Sequence, residues 1–339
     1  MKFLDITKTA FKDINASQHL EFDHEKIFYC EDNATGLKSI IAIHSSEAGP
    51  AIGGCRFRDY QTYEEGLTDV LRLSRGMTEK NKAAHIPFGG GKAIIFKEQP
   101  KSPELLQAFA SFLNHLEGSY YSAEDIGISL EDIKLVGKNT PYVFDNVDPG
   151  SYTAKGIFYS IEAALEFYLQ KSIKDAVISI QGAGSVGSQL AKLLVGMGAI
   201  IYIQDIDRSK LEELSATNIH IVEDALAQDC DLLAPCAIGG IFTQSSIKNL
   251  CCKIIAGGAN NQLLTPSIDN YLYKQGVHYI PDVLINSGGV IGLTKDILKR
   301  SEIEVEEDLK LIGQRALNSM VYAKTNNMSV LDAMNSLLI

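Results

Sequence analysis

The chain has 339 residues, of which 45% are hydrophobic and 22% are charged, and its formal net charge is −11. This length favours two domains with a core in each, and the composition is that of an ordinary globular protein. The acidic balance and the lack of a basic block argue against nucleic-acid and anionic-membrane partners. No uncharged apolar run reaches the roughly 18 residues that a membrane span needs.

The spacing of cysteine and histidine argues against disulfides and metal binding. Six cysteines are scattered through the chain without a Cys-x-x-Cys pair, and the seven histidines lack ligand spacing. Six cysteines are too few for a disulfide framework in a chain of this length. The first residues, Met-Lys-Phe-Leu-Asp-Ile, become acidic too early for a signal peptide. We therefore expect reduced cysteines, a cytoplasmic location and no metal site.

Strands and helices alternate along the first half of the predicted structure. A β-branched run at 38–44 predicts a buried strand. A Thr-x-x-Glu capping pattern opens a helix at 62, and Gly76 is expected to end it. Residues 93–96 predict another strand, and Ser-Pro opens a helix over about 102–118.

The second half is predicted to be a parallel sheet flanked by helices. Periodicity is lost between about 138 and 153, which predicts an interdomain hinge before a helix over about 154–170. Strand and helix patterns then alternate, as in a parallel α/β sheet. The strand candidates are 177–180, 200–203, 232–234, 253–256 and 277–280, and two closing helices are predicted over 302–338.

A glycine-rich turn follows the strand at 177–180 and opens a helix. Its candidate cofactor-binding residues are Gly182, Gly184, Ser185, Val186 and Gly187. An acidic residue, Asp205, ends the next strand 21 positions after Gly184, which completes the pattern of a dinucleotide site. The carboxylate of Asp205 would repel a 2′-phosphate, so NAD is favoured over NADP, although Arg208 is near enough to weaken that preference.

Two further glycine clusters lie within the first hundred residues, together with two lysines. Gly53 and Gly54 form one cluster and residues 89–91 the other, with Lys80 and Lys92 close by in sequence. Glycines allow a ligand to approach the backbone closely, and lysines provide fixed positive charge. This half is therefore predicted to hold a small anion.

Long motifs in both halves resemble the amino-acid dehydrogenases of the glutamate/leucine/phenylalanine/valine dehydrogenase superfamily, and the leucine-type members most. The resemblance covers roughly residues 28–325. It rests on the segments 49–56, 72–81, 89–92 and 123–127 in the first half, and on 182–187, 234–240, 256–263 and 281–290 in the second.

The resemblance implies a two-domain α/β architecture with a cleft between the domains. An N-terminal α/β substrate and oligomerisation domain would span 1–148, with a C-terminal helix over about 318–339 packing back. A Rossmann-type, doubly wound NAD-binding domain would span 149–317. The resemblance also implies a homo-oligomer assembled through the N-terminal domain, with an amino acid, a 2-oxo acid and ammonium as its small-molecule partners.

The resemblance further implies reversible, NAD-dependent oxidative deamination of an L-amino acid to a 2-oxo acid and ammonia. Lys92 would be the base that activates water, and Asp125 would exchange protons with the amino group. The residue types suit this chemistry, because the substrate carboxylate needs a cation, which Lys80 can supply, and the reaction needs a general base. Arg56 and Arg72 fit a structural role equally well.

Further candidate site residues follow from matching motif positions. On the substrate side they are Ile52, Gly53, Gly54, Met77, Asn286 and Leu293. On the cofactor side they are Thr153, Cys236, Ala237, Ala256 and again Asn286.

Substrate choice is predicted from two of these positions. Glutamate-specific relatives carry a lysine where this chain has Ile52 and a serine where it has Leu293. A side-chain carboxylate buried there without a partner would cost several kcal/mol, so an apolar, branched-chain amino acid is expected. A phenylalanine- or tryptophan-type substrate stays open. Intact Lys80, Lys92 and Asp125 argue against a catalytically silent NAD-binding regulator.

Overall fold

The computed structural model describes residues 1–10, 23–145, 148–214 and 217–338. The chain divides into two compact units, Met1–Val147 and Asp148–Ile339. The predicted boundary after 148 differs from this division by one residue, and residues 146–147 of the predicted hinge lie outside the described residues. Among the described residues, no helix is both long and apolar enough to cross a membrane.

The first unit is built on a six-stranded mixed sheet in the order β1-β2-β3-β5-β4-β6. Strands β1, β2, β3 and β5 pair antiparallel, whereas β5, β4 and β6 pair in parallel. The strands are β1 (Lys2–Asp5), β2 (Lys26–Asp32), β3 (Leu37–Ser45), β4 (Ala51–Arg58), β5 (Gly89–Phe96) and β6 (Tyr120–Ala123). The helices are α1 (Thr7–Ala10), α2 (Tyr63–Ala83), α3 (Pro103–His115) and α4 (Leu130–Gly137).

Helices cover both faces of this sheet. The apolar side of α2, with Leu67, Val70 and Leu71, packs in one buried cluster with residues of β3 and β5. Phe109 and Phe112 of α3 belong to a second buried cluster that also contains residues of α4. These apolar positions recur at helical spacing, which is why the sequence pattern located both helices.

Helix α2 does not end at Gly76 as predicted. It begins at the predicted cap, where the Thr62 hydroxyl accepts a hydrogen bond from the Glu65 amide, but it continues to Ala83. Gly76 lies on the exposed side, while Thr78 and Asn81 beyond it are buried. Packing of this last stretch extends the helix, and the left-handed backbone of His85 (φ 53°) follows its end.

The glycines at 89–91 lie inside strand β5, which therefore begins earlier than the predicted residue 93. They serve close packing within the protein rather than open access for a ligand. A Cβ at Gly90 would lie 2.1 Å from the backbone nitrogen of Thr78, and one at Gly91 would lie 2.7 Å from the Tyr120 ring. The space left by Gly91 lets the Tyr120 hydroxyl donate to the carbonyl of Gly53 at 2.8 Å.

The second unit is a six-stranded parallel sheet in the order β12-β11-β10-β7-β8-β9. This is the strand order of the doubly wound Rossmann fold, as predicted. The strands are β7 (Val177–Gln181), β8 (Ile200–Gln204), β9 (Ile219–Ile221), β10 (Leu232–Pro235), β11 (Ile254–Ile255) and β12 (His278–Tyr279). The helices are α5 (Pro149–Leu169), α6 (Ser185–Gly196), α7 (Ser209–Glu212), α8 (Ser267–Lys274), α9 (Asp282–Ile285), α10 (Gly288–Thr294), α11 (Glu302–Asn326) and α12 (Val330–Leu338).

Helix α5 begins at Pro149, earlier than the predicted residue 154. The Asp148 side chain caps it by accepting from the Gly150 amide at 2.8 Å, and proline suits the first helical position.

The last two helices, α11 and α12, lie in the second unit. That the helix over about 318–339 packs back on the first domain stays a prediction. Gly156 and Gly313 allow α5 and α11 to approach closely, since a Cβ at Gly156 would lie 2.6 Å from Ile312 Cδ1 and one at Gly313 would lie 2.7 Å from the Tyr159 carbonyl oxygen. Helix α12 follows α11 and contacts it and β12.

Alanine substitution of Gly90 on β5 and of Gly76 on α2 tests how closely α2 packs on β5. Gly90→Ala places a methyl group against the α2 backbone, so we expect the free energy of unfolding to fall by about 1–3 kcal/mol. Gly76→Ala is the matched control, because no described atom lies within 4 Å of a Cβ there. It should raise helix stability by about 0.5–1 kcal/mol. Urea unfolding measures both, and equal effects would contradict the packing role of Gly90.

Candidate active site

A buried ion pair joins Lys92 and Asp125 in the first unit. Lys92 lies in the middle of β5 and is 6% exposed, and its Nζ contacts Asp125 Oδ2. Asp125 follows β6 and so lies at the carboxyl end of a parallel strand, the usual edge for ligand binding in α/β folds. A Cβ at Gly54 would lie 2.9 Å from Asp125 Cβ and 3.1 Å from Lys92 Nζ, so glycine leaves room for the pair.

A second cation, Arg56, contacts the same carboxylate. Its Nε donates to Asp125 Oδ2 at 3.1 Å, while Asp125 Oδ1 accepts from the Ile126 amide at 2.7 Å. Burial raises the pKa of the Asp125 carboxyl, but the charges of Lys92 and Arg56 outweigh burial and bring this pKa to about 2. The carboxylate therefore stays ionised at neutral pH.

Helix α2 brings the remaining substrate-side candidates of the first unit to the same sheet. Met77 Cγ lies 3.5 Å from the position of a Cβ at Gly53, and Asn81 Nδ2 donates to the Gly89 carbonyl at 2.8 Å. Lys80 is half-buried on the same stretch of α2, one turn after Met77. Ile52 is 2% exposed and pairs in register with Gly90. These contacts place Ile52, Gly53 and Met77 around β4 and β5.

The glycine turn in the second unit has the backbone that a dinucleotide needs. Gly182 adopts φ +102°, and a Cβ there would lie 2.9 Å from the Ala237 nitrogen. A Cβ at Gly187 would lie 1.9 Å from the Gly182 carbonyl oxygen, so this glycine closes the turn against α6. Gly184 caps α6, and no described atom lies within 4 Å of a Cβ there. The helix N-terminus is thus open to an anion.

Asp205 directly follows β8 and is tied to this turn. Its Oδ2 accepts from the Ala183 amide at 2.7 Å, and its Oδ1 accepts from the Asp207 amide at 2.8 Å. Arg208, expected to modify cofactor choice, instead pairs with Glu223 at 2.8 Å on the exposed surface. Lys210 is the cation beside Asp205, with Nζ 3.8 Å from Oδ1.

A cavity of about 480 Å³ lies beside the turn. Hydroxyl groups, two lysines and two glutamates line it. The hydroxyls and lysines suit phosphate groups, and the carboxylates suit the hydroxyls of a ribose. Its described lining residues are Ala183, Gly184, Ser185, Ser188, Lys192, Ser209, Lys210, Glu212, Glu213 and Leu214. The open helix N-terminus and this polar cavity together fit the phosphate part of a dinucleotide.

Other cofactor-side candidates meet where the chain leaves β10 and β11. The Cys236 amide donates to the Gln181 carbonyl at 2.7 Å, and Ala237 packs on Gly182. Both residues therefore lie against the glycine turn. Burial raises the pKa of the Cys236 thiol to about 11, which keeps it protonated. Ala256 directly follows β11 and is fully buried, and Val186 Cγ1 lies 2.9 Å from the position of a Cβ at Gly258.

Buried amides complete this edge of the second unit. Asn286 is 2% exposed, and its Nδ2 donates to Asn260 Oδ1 at 2.8 Å and to the Gly258 carbonyl at 3.2 Å. Its Oδ1 and the Oε1 of Gln262 are buried without a hydrogen-bond partner among the described residues. Such orphaned acceptors fit a donor group of a ligand, for example a carboxamide.

The last two candidates lie on helices next to Asn286. Thr153 on α5 donates its hydroxyl to the Pro149 carbonyl, and its Oγ1 lies 2.6 Å from the position of a Cβ at Gly289. Leu293 lies half-buried on α10. Within the described residues, no cluster of three or more His, Cys, Asp or Glu side chains is arranged to hold a metal ion.

Sequence analysis missed the partners of the predicted residues. Lys210 was overlooked because Arg208 is nearer to Asp205 in sequence. Arg56 was left open between a structural and a functional role, although its position two residues after Gly54 places it on the same side of β4. That spacing was the available signal, whereas no sequence pattern pointed to Asp69, which contacts Arg56, or to Tyr60, which contacts Asp69.

The chain thus combines a Rossmann-type unit that has an open glycine turn with a unit that holds a lysine–aspartate pair, a combination that suits a nicotinamide-dependent oxidoreductase. The model of the Glu/Leu/Phe/Val dehydrogenase dimerisation domain matches residues 24–147, and that of the glutamate/leucine/phenylalanine/valine dehydrogenases matches residues 200–337. The chain belongs to this family and is an amino-acid dehydrogenase, an oxidoreductase that acts on CH–NH₂ donors. Enzymes of this family depend on NAD(P).

Individual relatives span several substrates. Phenylalanine dehydrogenase of Bacillus thermotolerans is 35% identical, with 92% of this chain and 87% of the relative covered. Leucine dehydrogenase of Geobacillus stearothermophilus is also 35% identical, with 90% and 87% covered. The crystal structure of L-tryptophan dehydrogenase from Nostoc punctiforme is similar with a TM-score of 0.82 and 34% identity, covering 96% of this chain and 97% of that one.

The lowered pKa of Asp125 predicts how stability depends on pH. Folding lowers this pKa from about 4 to about 2, so the ionised carboxylate contributes stability above pH 4 that is lost as the pH falls towards 2. Asp125→Asn should therefore be destabilised at pH 6 and should approach the wild type below pH 4. Thermal unfolding between pH 3 and 6 measures this gap. Glu131→Gln, which removes an exposed pair with Lys134, should show little effect, and a pH-independent gap for Asp125→Asn would contradict the prediction.

Proposed function

We propose that the protein catalyses the reversible, NAD-dependent oxidative deamination of an apolar, leucine- or valine-like L-amino acid to its 2-oxo acid and ammonia. The observation that carries this proposal is the buried Lys92–Asp125 pair beside Gly54. It supplies an amine and an ionised carboxylate where the backbone leaves no room for another side chain. Both groups suit a substrate that carries an amino nitrogen.

Substrate binding would begin with an exchange of cations at Asp125. The α-ammonium group has the same charge as Lys92 and can take its place against the carboxylate. Lys80 would bind the substrate carboxylate, as the resemblance to the family implies. Asp125 would first accept a proton from the α-ammonium group, and bound NAD supplies the acceptor for the hydride that then leaves Cα and makes the substrate a protonated imine.

Lys92 and Asp125 would then move the protons of hydrolysis. Lys92, after releasing its own proton to solvent, would remove a proton from the water that adds to the imine carbon. Asp125 would return to the departing nitrogen the proton that it took from the α-ammonium group. With both cations in contact, the pKa of Asp125 near 2 makes it a weak base. When the α-ammonium that has replaced Lys92 gives up its proton, its positive charge beside Asp125 is lost. That loss raises the pKa of the carboxyl and lets Asp125 hold the proton.

Cofactor choice is proposed to favour NAD. The open N-terminus of α6 would hold the pyrophosphate, and Asp205 would accept from the adenosine ribose. Asn286 and Gln262 offer buried acceptors that suit a carboxamide. Lys210, 3.8 Å from Asp205, would weaken the rejection of a 2′-phosphate without abolishing it.

The substrate side chain is proposed to be apolar. Ile52 is 2% exposed, so a carboxylate placed against it would lose its hydration without gaining a cation. Leu293 is apolar as well. Leucine and phenylalanine dehydrogenases are equally similar to this chain, so an aromatic amino acid is the alternative substrate. We also propose that the protein is a homo-oligomer, which the match to a dimerisation-domain model supports. Its proposed location is the cytoplasm.

Absorbance at 340 nm tests the reaction and the substrate class together. Leucine, valine, isoleucine, phenylalanine, tryptophan and glutamate are each supplied with NAD. We expect NADH formation with leucine or valine and a kcat/KM for glutamate lower by at least about 100-fold, because burial of its second carboxylate costs several kcal/mol. Lys92→Ala should abolish turnover. A preference for glutamate would refute the pocket assignment, and a preference for phenylalanine or tryptophan would establish the alternative.

A second assay tests cofactor choice. Asp205→Ala removes the carboxylate that opposes a 2′-phosphate, so the ratio of kcat/KM for NAD over NADP should fall by about tenfold, or roughly 1.4 kcal/mol. Asp207→Ala removes the same charge two residues away and is the control. Equal ratios in Asp205→Ala and the wild type would show that Asp205 does not choose the cofactor.

A further inference from the structure

Arg56 lies between two carboxylates in the first unit. Its Nε donates to Asp125 Oδ2 at 3.1 Å, and its Nη1 donates to Asp69 Oδ2 at 3.2 Å. Asp69, on α2, also accepts from the Tyr60 hydroxyl at 2.8 Å. The chain of contacts therefore runs from Tyr60 through Asp69 and Arg56 to Asp125, and it ends at Lys92.

These contacts hold the guanidinium group of Arg56 in one orientation. The side chain of Arg56 is 18% exposed, as is that of Asp125. A guanidinium is planar and holds its donors in a rigid fork, so bonds to carboxylates on two sides restrict rotation of the whole group. By contrast, the next outward-facing arginine of β4, Arg58, is 48% exposed and pairs at 3.7 Å with Glu65.

The chemistry explains why a permanent charge is needed there. Lys92 and the substrate nitrogen must each release or take up protons during the proposed reaction. Arginine does not deprotonate at any working pH. Whether or not Lys92 and the substrate nitrogen are protonated, Arg56 keeps one positive charge next to the Asp125 carboxylate. The proton affinity of Asp125 then depends on a group that takes no part in the proton transfers.

We propose that Arg56 is the positioning residue that fixes the Asp125 carboxylate toward the reacting nitrogen and sets its proton affinity. Asp69 and Tyr60 hold Arg56 in place from the other side. When the substrate ammonium has displaced Lys92 and gives up its proton, Arg56 stays in contact with Asp125, so the carboxylate keeps one of its two neighbouring positive charges. Asp125 can then accept a proton from the amino group and release it to the departing ammonia. This inference rests on the proposed function.

The pH profile of kcat tests the proposal. Arg56→Gln removes the charge, so the acid limb of kcat should move up by about one pH unit, and misplacement of the carboxylate should lower kcat by about 100-fold. Arg56→Lys keeps the charge and should hold the acid limb near its wild-type position while losing part of kcat. Lys134→Gln, which removes an exposed pair with Glu131 on α4, should match the wild type.

A folding defect is guarded against by a second variant. Arg56→Met keeps most of the buried stem and is measured beside Arg56→Gln, with the same shift expected. A uniform loss of kcat at every pH in Arg56→Gln and Arg56→Met, with Arg56→Lys no better than either, would overturn the proposal and leave Arg56 a structural residue.

A measurement without turnover separates this inference from the proposed function. Carboxyl-¹³C aspartate is incorporated, and the Asp125 resonance is assigned as the one missing in Asp125→Asn. Its protonation should begin at a pH about one unit higher in Arg56→Gln than in the wild type. A silent enzyme with this shift present would refute the proposed substrate class but support the role of Arg56. Unchanged titration would refute the role of Arg56 whether or not the enzyme turns over.

Discussion

Asp125 is held between Lys92 and Arg56 in the first unit. A Cβ at Gly54 would lie 2.9 Å from the Cβ of Asp125. Lys92 is buried, and the side chains of Arg56 and Asp125 are each 18% exposed. Such charges are stable together only with close and fixed contacts, because each loses most of its hydration. The glycines of β4 and β5 permit these contacts. Tyr120 fills the space beside Gly91 and donates to the Gly53 carbonyl. The packing that holds these strands together therefore also positions the charged side chains.

The second unit uses glycine for a different purpose. Gly182 and Gly187 close a tight turn, while Gly184 leaves the first turn of α6 open. Asp205 is tied to the same turn through the Ala183 amide, so the group that would meet a ribose is already positioned by the loop that would meet the phosphates. In the first unit, glycine thus leaves room for charged side chains to approach one another. In the second unit, it leaves the N-terminus of α6 open.

Sequence reasoning succeeded where a function depends on local backbone and failed where it depends on distant packing. The turn at Gly182 and the sheet that follows it were predicted because strand, glycines and acid lie within one short segment. The end of α2 at Gly76 was wrong because burial of Thr78 and Asn81 against β5 overrides one exposed glycine. Glycine content alone did not reveal whether a ligand or a neighbouring helix needs the space. The role of Arg56 needs contacts from α2 and from the segment after β6, which no local pattern records.

The central claim is that the Lys92–Asp125 pair is where the amino nitrogen binds. A crystal structure with NAD and leucine, or with the corresponding 2-oxo acid, NADH and ammonium, tests it most directly. The account predicts a ligand nitrogen within about 2.7–3.2 Å of an Asp125 oxygen, with Lys92 Nζ withdrawn and Arg56 still in contact. A ligand bound elsewhere, with the Lys92–Asp125 contact intact, would contradict it.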